Sequence, residues 1–299
     1  MKKTTVLISL IVIVTIILTA CGGQASTPKD LLAQIKSRGY IIVSTDPNYA
    51  PQSSLNTEGK RPSTTKCPSD TLTTAEMQGF DVDVAAEIGK RLGVETCFAT
   101  PSWDMITAGS WADKWDVSVG SMTVTDTRAK VLTFTVPYYY YYAVIAVKKD
   151  SGINTLADLS GKSLCVAAST TYESWLTGKD FDIPSADVFT QPPANVTEVP
   201  LDTDQECAQS INAGRTDFIG YVTANTVVDA NIAAGFPVVQ LGGPIYQESL
   251  AAAVDKSSSL PIDSFVSALN TAITDMHSDG TLTNLSMKWY QVDMTQATK

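Results

Sequence analysis

The sequence predicts a two-lobed α/β protein with mostly parallel sheets flanked by helices. Three observations carry that prediction. Short apolar runs such as Tyr40–Ser44 and Ser163–Ala167 alternate with segments of helical spacing. The alternation occurs twice, before and after five consecutive tyrosines at 138–142. An N-terminal export signal takes 20 of the 299 residues, and the remaining 279 are enough for two cores.

The first element is the signal itself. Lys2 and Lys3 form a positive head, residues 6–18 are almost unbroken apolar, and Leu18-Thr19-Ala20-Cys21 closes the run. A basic start, an apolar stretch of this length and small residues before a cut site mark a secretory signal rather than a spanning helix. The tetrad resembles a bacterial lipobox, whose cysteine becomes the acylated first residue, carrying a palmitate-type chain. Cys21 is therefore the expected lipidation site. An uncleaved anchor helix would leave Cys21 and its small neighbours unexplained. Residues 21–27 read as a lipid-anchored tether in the cell envelope, on the extracytoplasmic side of a bacterial membrane.

After the tether, a short helix over Leu31–Arg38 leads into the strand Tyr40–Ser44 and a turn at Thr45-Asp46-Pro47-Asn48. Residues 52–75 are polar, rich in Ser and Thr, and read as a loop insertion. Gly79-Phe80-Asp81 opens an amphipathic helix over 82–92, with Val82, Ala85, Ala86, Ile88 and Leu92 on its apolar face. A strand at 94–99, a helix at 103–108 and a strand at 115–119 follow, then a turn at Gly120-Ser121-Met122-Thr123. A strand at 131–134, Pro137 and the tyrosines lead into an apolar strand at 143–147. The second round has a strand at Ser163–Ala167 and a helix starting near Ser169 to Glu173. A Pro-rich stretch then precedes a helix at 204–213 and a strand at 218–222.

Charge and cysteines narrow the function. Two of the 21 basic side chains belong to the signal; the other 19 against 31 acidic ones leave a net charge near −12. That balance opposes binding to nucleic acid or a polybasic membrane contact. Cys67, Cys97, Cys165 and Cys207 form an even set, which in an oxidising compartment favours two disulfides. Three pairings are open. The sequential one is favoured because each bridge then stays inside one lobe. No CxxC occurs and His277 is the only histidine, so a Cys/His zinc site and a Ser/His or Cys/His nucleophile are both disfavoured.

In order along the chain stand Val43-Ser44-Thr45-Asp46, Gly79-Phe80-Asp81-Val82-Asp83, Trp115-Asp116 and Gly120-Ser121-Met122-Thr123-Val124-Thr125. Arg128, residues 134–139, Asp158-Leu159, Gly161-Lys162 and Thr170-Thr171 follow, then Asp279-Gly280-Thr281 and Trp289-Tyr290. In this order and spacing the chain resembles the extracellular solute-binding proteins of ABC importers, in their polar amino-acid-binding family. The resemblance implies a periplasmic-binding-protein-like fold, with lobe one at 28–140 and 243–299, lobe two at 141–242, and two crossing hinge strands between them. It implies a monomer that needs no cofactor, closes on a small carboxylate-bearing ligand in its cleft, and delivers it to the membrane subunits of an importer.

Site residues follow from that resemblance. Arg128 is expected to grip the ligand's α-carboxylate, because its planar fork offers two parallel hydrogen bonds and keeps its charge. A surface ion pair with Asp126 or a nearby carboxylate is the bland alternative. Ser121 and Thr123 match positions that add hydrogen bonds through hydroxyl or backbone groups. Thr170 and Thr171 sit at a strand-to-helix turn suited to an anion, or to capping alone. Tyr49 and Trp103 occupy places where rings flank a ligand side chain, against ordinary core packing as the alternative. The five tyrosines read as mostly structural, since alternate residues of a strand point opposite ways. One position departs from the family: Val222 stands where an aspartate usually meets the α-ammonium. Either another acid serves, Asp46 or Glu173, or the ligand is not an ordinary α-amino acid. An enzyme on the same scaffold, such as a dehydratase, is the rival reading. It would need a positioned acid or base in the cleft. A receptor's sensing domain is a third reading, and would ordinarily continue into a spanning helix.

Overall fold

The computed structural model describes residues 28–297. The expected signal (1–20), Cys21 and the tether at 21–27 lie outside the described residues. No helix among the described residues is long and apolar enough to cross a membrane.

Lobe one begins with α1 (Leu31–Arg38). The Asp30 carboxylate caps it by accepting from the Ala33 N–H at 2.8 Å, and Gly39 ends it in a left-handed turn (φ 78°). Then come β1 (Tyr40–Ser44), the short strands β2 (Asn48–Tyr49), β3 (Ser53–Leu55), β4 (Leu72–Thr73) and β5 (Met77–Gln78), and α2 (Phe80–Leu92). Next are β6 (Glu95–Ala99), α3 (Trp103–Thr107), β7 (Val117–Thr123) and the single turn α4 (Asp126–Ala129). The long strand β8 (Leu132–Lys148) carries the chain into lobe two, which holds β9 (Ser163–Ala167), α5 (Thr171–Thr177) and β10 (Thr197–Leu201). It continues with α6 (Asp204–Asn212), β11 (Gly220–Ala224) and α7 (Asn225–Ala233). β12 (Val238–Asp255) returns to lobe one, where α8 (Asp263–Ser278) packs on β8 and α2, and α9 (Thr281–Tyr290) on α2 and α8.

Nine strands form one sheet in the order β10-β9-β11-β8-β12-β7-β1-β6-β4. Pairing is parallel for β1 with β6 and β7, and for β9 with β10 and β11. The joints between β11, β8, β12 and β7 are antiparallel, as is the β4 edge. The sheet is therefore mixed rather than mostly parallel. β8 and β12 each pass once between the lobes in opposite senses, so they must meet antiparallel wherever they join a lobe. Where they cross, residues 242–245 of β12 lie opposite Val144 alone, between the pairs Leu241↔Ile145 and Tyr246↔Ala143.

Separate apolar clusters fill the lobes. Phe80, Val84, Ile88, Phe98 and Phe265 belong to the main cluster of lobe one, and Ile145, Leu164, Trp175 and Val222 to one in lobe two. Three expectations shift in the structure. The expected turn at Gly120 to Thr123 is the end of β7, because Met122 and Thr123 pair with Ala251 and Leu250 of β12. The strands expected at 131–134 and 143–147 belong to one strand, Leu132–Lys148, and Pro137 is tolerated there because it sits at a register shift. The insertion at 52–75 carries ordered strands: β3 joins β2 and β5 in a small sheet, and β4 covers the β6 edge. Disulfides join Cys67 to Cys97 and Cys165 to Cys207, the sequential pairing. The second ties β9 to α6, two elements that end at the cleft.

Candidate functional site

β7, the α4 turn and α3 supply the lobe-one wall of the cleft. Arg128 lies on α4, whose Thr125 hydroxyl caps the Arg128 N–H at 3.1 Å. Arg128 is 8% exposed, and its guanidinium donates from Nη1 to the Thr123 carbonyl and from Nη2 to the Ser169 carbonyl of lobe two, both at 3.1 Å. Its Cζ lies 5.4 Å from the Trp103 ring centroid, and Trp103 Nε1 donates to the same Ser169 carbonyl at 3.2 Å. Among the described residues Arg128 makes no ion pair, so the alternative of a bond to Asp126 does not hold. Burial pulls its pKa down, and the Glu248 carboxylate works against that pull.

Ser121 has a left-handed backbone (φ 54°) and its polar groups turn inward. Its N–H donates to the Tyr138 hydroxyl at 3.0 Å, and its Oγ donates to Asp81 at 2.5 Å and bonds the Tyr139 hydroxyl. Tyr138 in turn donates to Asp81 at 2.8 Å. In the ligand-free protein the buried Asp81 network engages both the Ser121 hydroxyl and its N–H. Burial pushes the Asp81 carboxyl up to about 7, against the pull of those two hydroxyls.

Thr123 and Thr171 face each other across the cleft, and both hydroxyls donate to Glu248 Oε1 at 2.5 Å. Glu248, on β12, is 1% exposed, and its Oε2 has no hydrogen-bond partner. Burial raises its pKa, opposed by the two threonines, Arg128 and the Tyr172 hydroxyl. Thr170 caps α5, accepting from the Glu173 N–H at 3.2 Å, while its hydroxyl donates to the Ala167 carbonyl at 2.6 Å. Tyr49, Tyr141 and Tyr172 join hydroxyls at 3.0 to 3.2 Å in a closed triangle. On the lobe-two side, Asp204 at the first turn of α6 is 5% exposed and its Oδ1 has no partner. Burial pushes its pKa well up, and Asp46 and Glu248 push it further, against the pull of the Thr223 hydroxyl. Asp46, half-buried after β1, accepts from the Asn48 N–H at 2.7 Å; burial raises its pKa and Glu206 adds to the rise.

These groups line one partly open cleft. All eight residues expected from the sequence line it: Arg128, Ser121, Thr123, Thr170, Thr171, Trp103, Tyr49 and Asp46. Glu173 does not; its carboxylate accepts from the Ser169 N–H at 2.7 Å. Val222 is fully buried in the core of lobe two. Sequence reasoning missed Glu248, Asp204, Tyr141 and Tyr172, along with Asp202 and Thr203. The signal for Asp204 was an acid directly after Thr203 at a helix start, a pattern usually read as capping alone. His277, the only histidine, bonds the Pro137 carbonyl at 2.9 Å and does not line the space.

A cleft between two α/β lobes, crossed by two strands and lined by one guanidinium and several acids, defines a solute-binding class. The model of the bacterial extracellular solute-binding proteins, family 3, matches residues 41–292, and the chain belongs to that family. It is 29% identical over 268 residues to the L-cystine-binding protein TcyJ of Escherichia coli (strain K12), covering 89% of this chain and 88% of that one. An ancestral arginine-binding protein bound to arginine matches at 27% identity and a TM-score of 0.67, over 84% of this chain and 98% of that one. The ancestral amino acid-binding protein AncCDT-1, a precursor of cyclohexadienyl dehydratase, matches at 26% and 0.68, over 87% and 99%. The protein is thus an extracellular solute-binding receptor that captures a small carboxylate-bearing molecule between its lobes and delivers it to an ABC importer.

Proposed function

We propose that the captured solute is an α-amino acid, with its α-carboxylate on Arg128 and its α-ammonium on Glu248. The observation that carries this is the pairing of a buried guanidinium that has no ion pair with a neighbouring buried carboxylate that has a free oxygen. The two α-groups of an amino acid are one carbon apart, so they need opposite charges side by side. Glu248 then serves in place of the acid missing at Val222. Thr123 and Thr171, already bonded to Glu248, fix its carboxylate from both lobes. Closing the lobes on the ligand completes the site. The lobes divide at 140/141 and 242/243, the latter within the irregular crossing segment of β12. Isothermal titration of the purified protein with the common L-amino acids tests the reading. At least one should bind saturably, and Arg128→Ala should weaken it at least a hundredfold, in line with a buried charge-assisted pair of about 3 kcal/mol or more. Unchanged affinity in Arg128→Ala would sink the assignment.

A binding protein, not an enzyme, fits these groups. The likeness to a dehydratase precursor and the raised pKa of Glu248 and Asp204 favour one check, however. Proton NMR of the bound amino acid after prolonged incubation should show it intact. The chain acts as a monomer tethered by a lipid on Cys21, which keeps it near its importer at high effective concentration. Labelled palmitate should enter the wild type in a bacterial host and be absent from Cys21→Ala.

A further inference from the structure

We propose that Gln52 and Thr226, helped by Asp182 and the Thr127 N–H, are positioning residues that clasp the two lobes together without touching the ligand, so that part of the closure is built into the chain itself. None of the four lines the cleft. The inference does not depend on which ligand group Arg128 holds.

The first support is a buried bond that crosses from lobe to lobe. Gln52, in the segment between β2 and β3 of lobe one, is fully buried, and its Nε2 donates to the Thr226 hydroxyl at 2.7 Å. Thr226 is 6% exposed and lies in the first turn of α7 in lobe two. The second support is what this glutamine lacks. Its Oε1 has no hydrogen-bond partner. A side chain present only to fill the core would be better apolar, because a buried amide with an unmet carbonyl is unfavourable. The bond that Gln52 gains lies on the other lobe.

The third support is how firmly both ends are held. The Phe80 and Asp81 N–H groups at the start of α2 donate to the Pro51 and Gln52 carbonyls at 3.2 and 2.9 Å. Gly79 (φ 134°) permits that approach, since a Cβ there would stand 2.2 Å from the Gln52 carbonyl oxygen. On the other side, Asn225 accepts from the Tyr142 N–H of β8 at 3.1 Å, and Ala224 and Val227 join the main apolar cluster of lobe one. The start of α7 is therefore already seated against lobe one by packing, with the Gln52 bond at its centre. At the rim beside Arg128, the Thr127 N–H donates to the Asp182 carboxylate of lobe two at 2.6 Å. That bond is exposed and competes with water, so it contributes less than the buried one.

Single-molecule energy transfer tests the clasp in mature protein stripped of solute by denaturing dialysis. Dyes on Lys36→Cys and Lys179→Cys, exposed positions in lobe one and lobe two, report the closed-to-open ratio. The wild type should populate the closed form. Thr226→Val keeps the shape but strands the Gln52 amide, and should lower the ratio about tenfold. Thr226→Ser, which keeps the hydroxyl, should stay within about twofold of wild type, and Asp182→Ala should cost about twofold. Gln52→Met reads the same bond if Thr226→Val does not fold. An unchanged ratio without the bond, equal losses in Thr226→Ser and Thr226→Val, or a wild type with no closed population overturns the inference. Each of those outcomes leaves the roles of Arg128 and Glu248 intact, since no ligand takes part.

Discussion

Asp81 and Asp204 are both buried carboxyls, one in each lobe, and they are handled in opposite ways. Asp81 lies behind the cleft wall and accepts hydrogen bonds from Ser121 and Tyr138 on separate oxygens. Asp204 lies on the wall itself, keeps one oxygen without a partner, and feels another acid, Asp46, as the strongest charge acting on it. The first arrangement holds structure: it fixes the left-handed Ser121 at the end of β7 and so the shape of the lobe-one floor. The second stores an unmet demand that only a visiting group answers. Burial alone does not separate the two; satisfaction does.

The comparison can be broken in several ways. The largest effect should come from removing the Cys165–Cys207 bridge, which anchors the helix carrying Asp204 across 42 residues. The double substitution Cys165→Ala with Cys207→Ala should cost about 2–4 kcal/mol in urea unfolding and weaken ligand binding with it. Asp81→Ala comes next. It strands the Ser121 and Tyr138 hydroxyls in the core, and a loss of about 1–3 kcal/mol is expected with a fall in affinity even though Asp81 does not line the cavity. Asp204→Asn should go the other way in ligand-free protein. Replacing an unsatisfied carboxylate by a neutral amide should raise the unfolding free energy slightly, by roughly 1 kcal/mol or less, while ligand binding suffers. A destabilised ligand-free Asp204→Asn would show that Asp204 is structural after all.

The smallest and most diagnostic effect is the slope with pH. The Asp81 pKa is raised to about 7 in the folded protein from an ordinary 3.8. The folded state therefore holds more protons than the unfolded state between those values, and stability falls as pH rises across that window. Asp204, Asp46 and Glu248 are also raised and tilt the curve the same way. The melting temperature of ligand-free protein should decline from pH 5 to pH 8. Asp81→Asn should flatten that decline, and so should Asp204→Asn. A bound amino acid should flatten the Glu248 share and leave the Asp81 share untouched.

Much of the fold was legible because it is written locally. α1, β1, β9 and the body of α2 follow from apolar spacing and from Gly79-Phe80-Asp81 at the start of α2. The end of β7 and the continuity of β8 were not, since Gly120 and Pro137 suggest breaks and only pairing with β12 overrides them. The same divide runs through the site. Its recognisable members sit in short motifs: Asp46 and Tyr49 near β1, Ser121, Thr123 and Arg128 around β7, Thr170 and Thr171 at α5.

By itself, the sequence determined the α/β alternation, the favoured disulfide pairing and the guanidinium at Arg128, because spacing, cysteine placement and side-chain chemistry are properties of short stretches. Only the tertiary structure decided which acids meet the ligand. Glu248 reaches Thr123 from 125 residues away, along a strand that crosses between lobes. Asp204 comes from the first turn of a helix in the opposite lobe. Whether a carboxylate ends up satisfied like Asp81 or waiting like Asp204 depends on what folding places around it, and no local pattern encodes that.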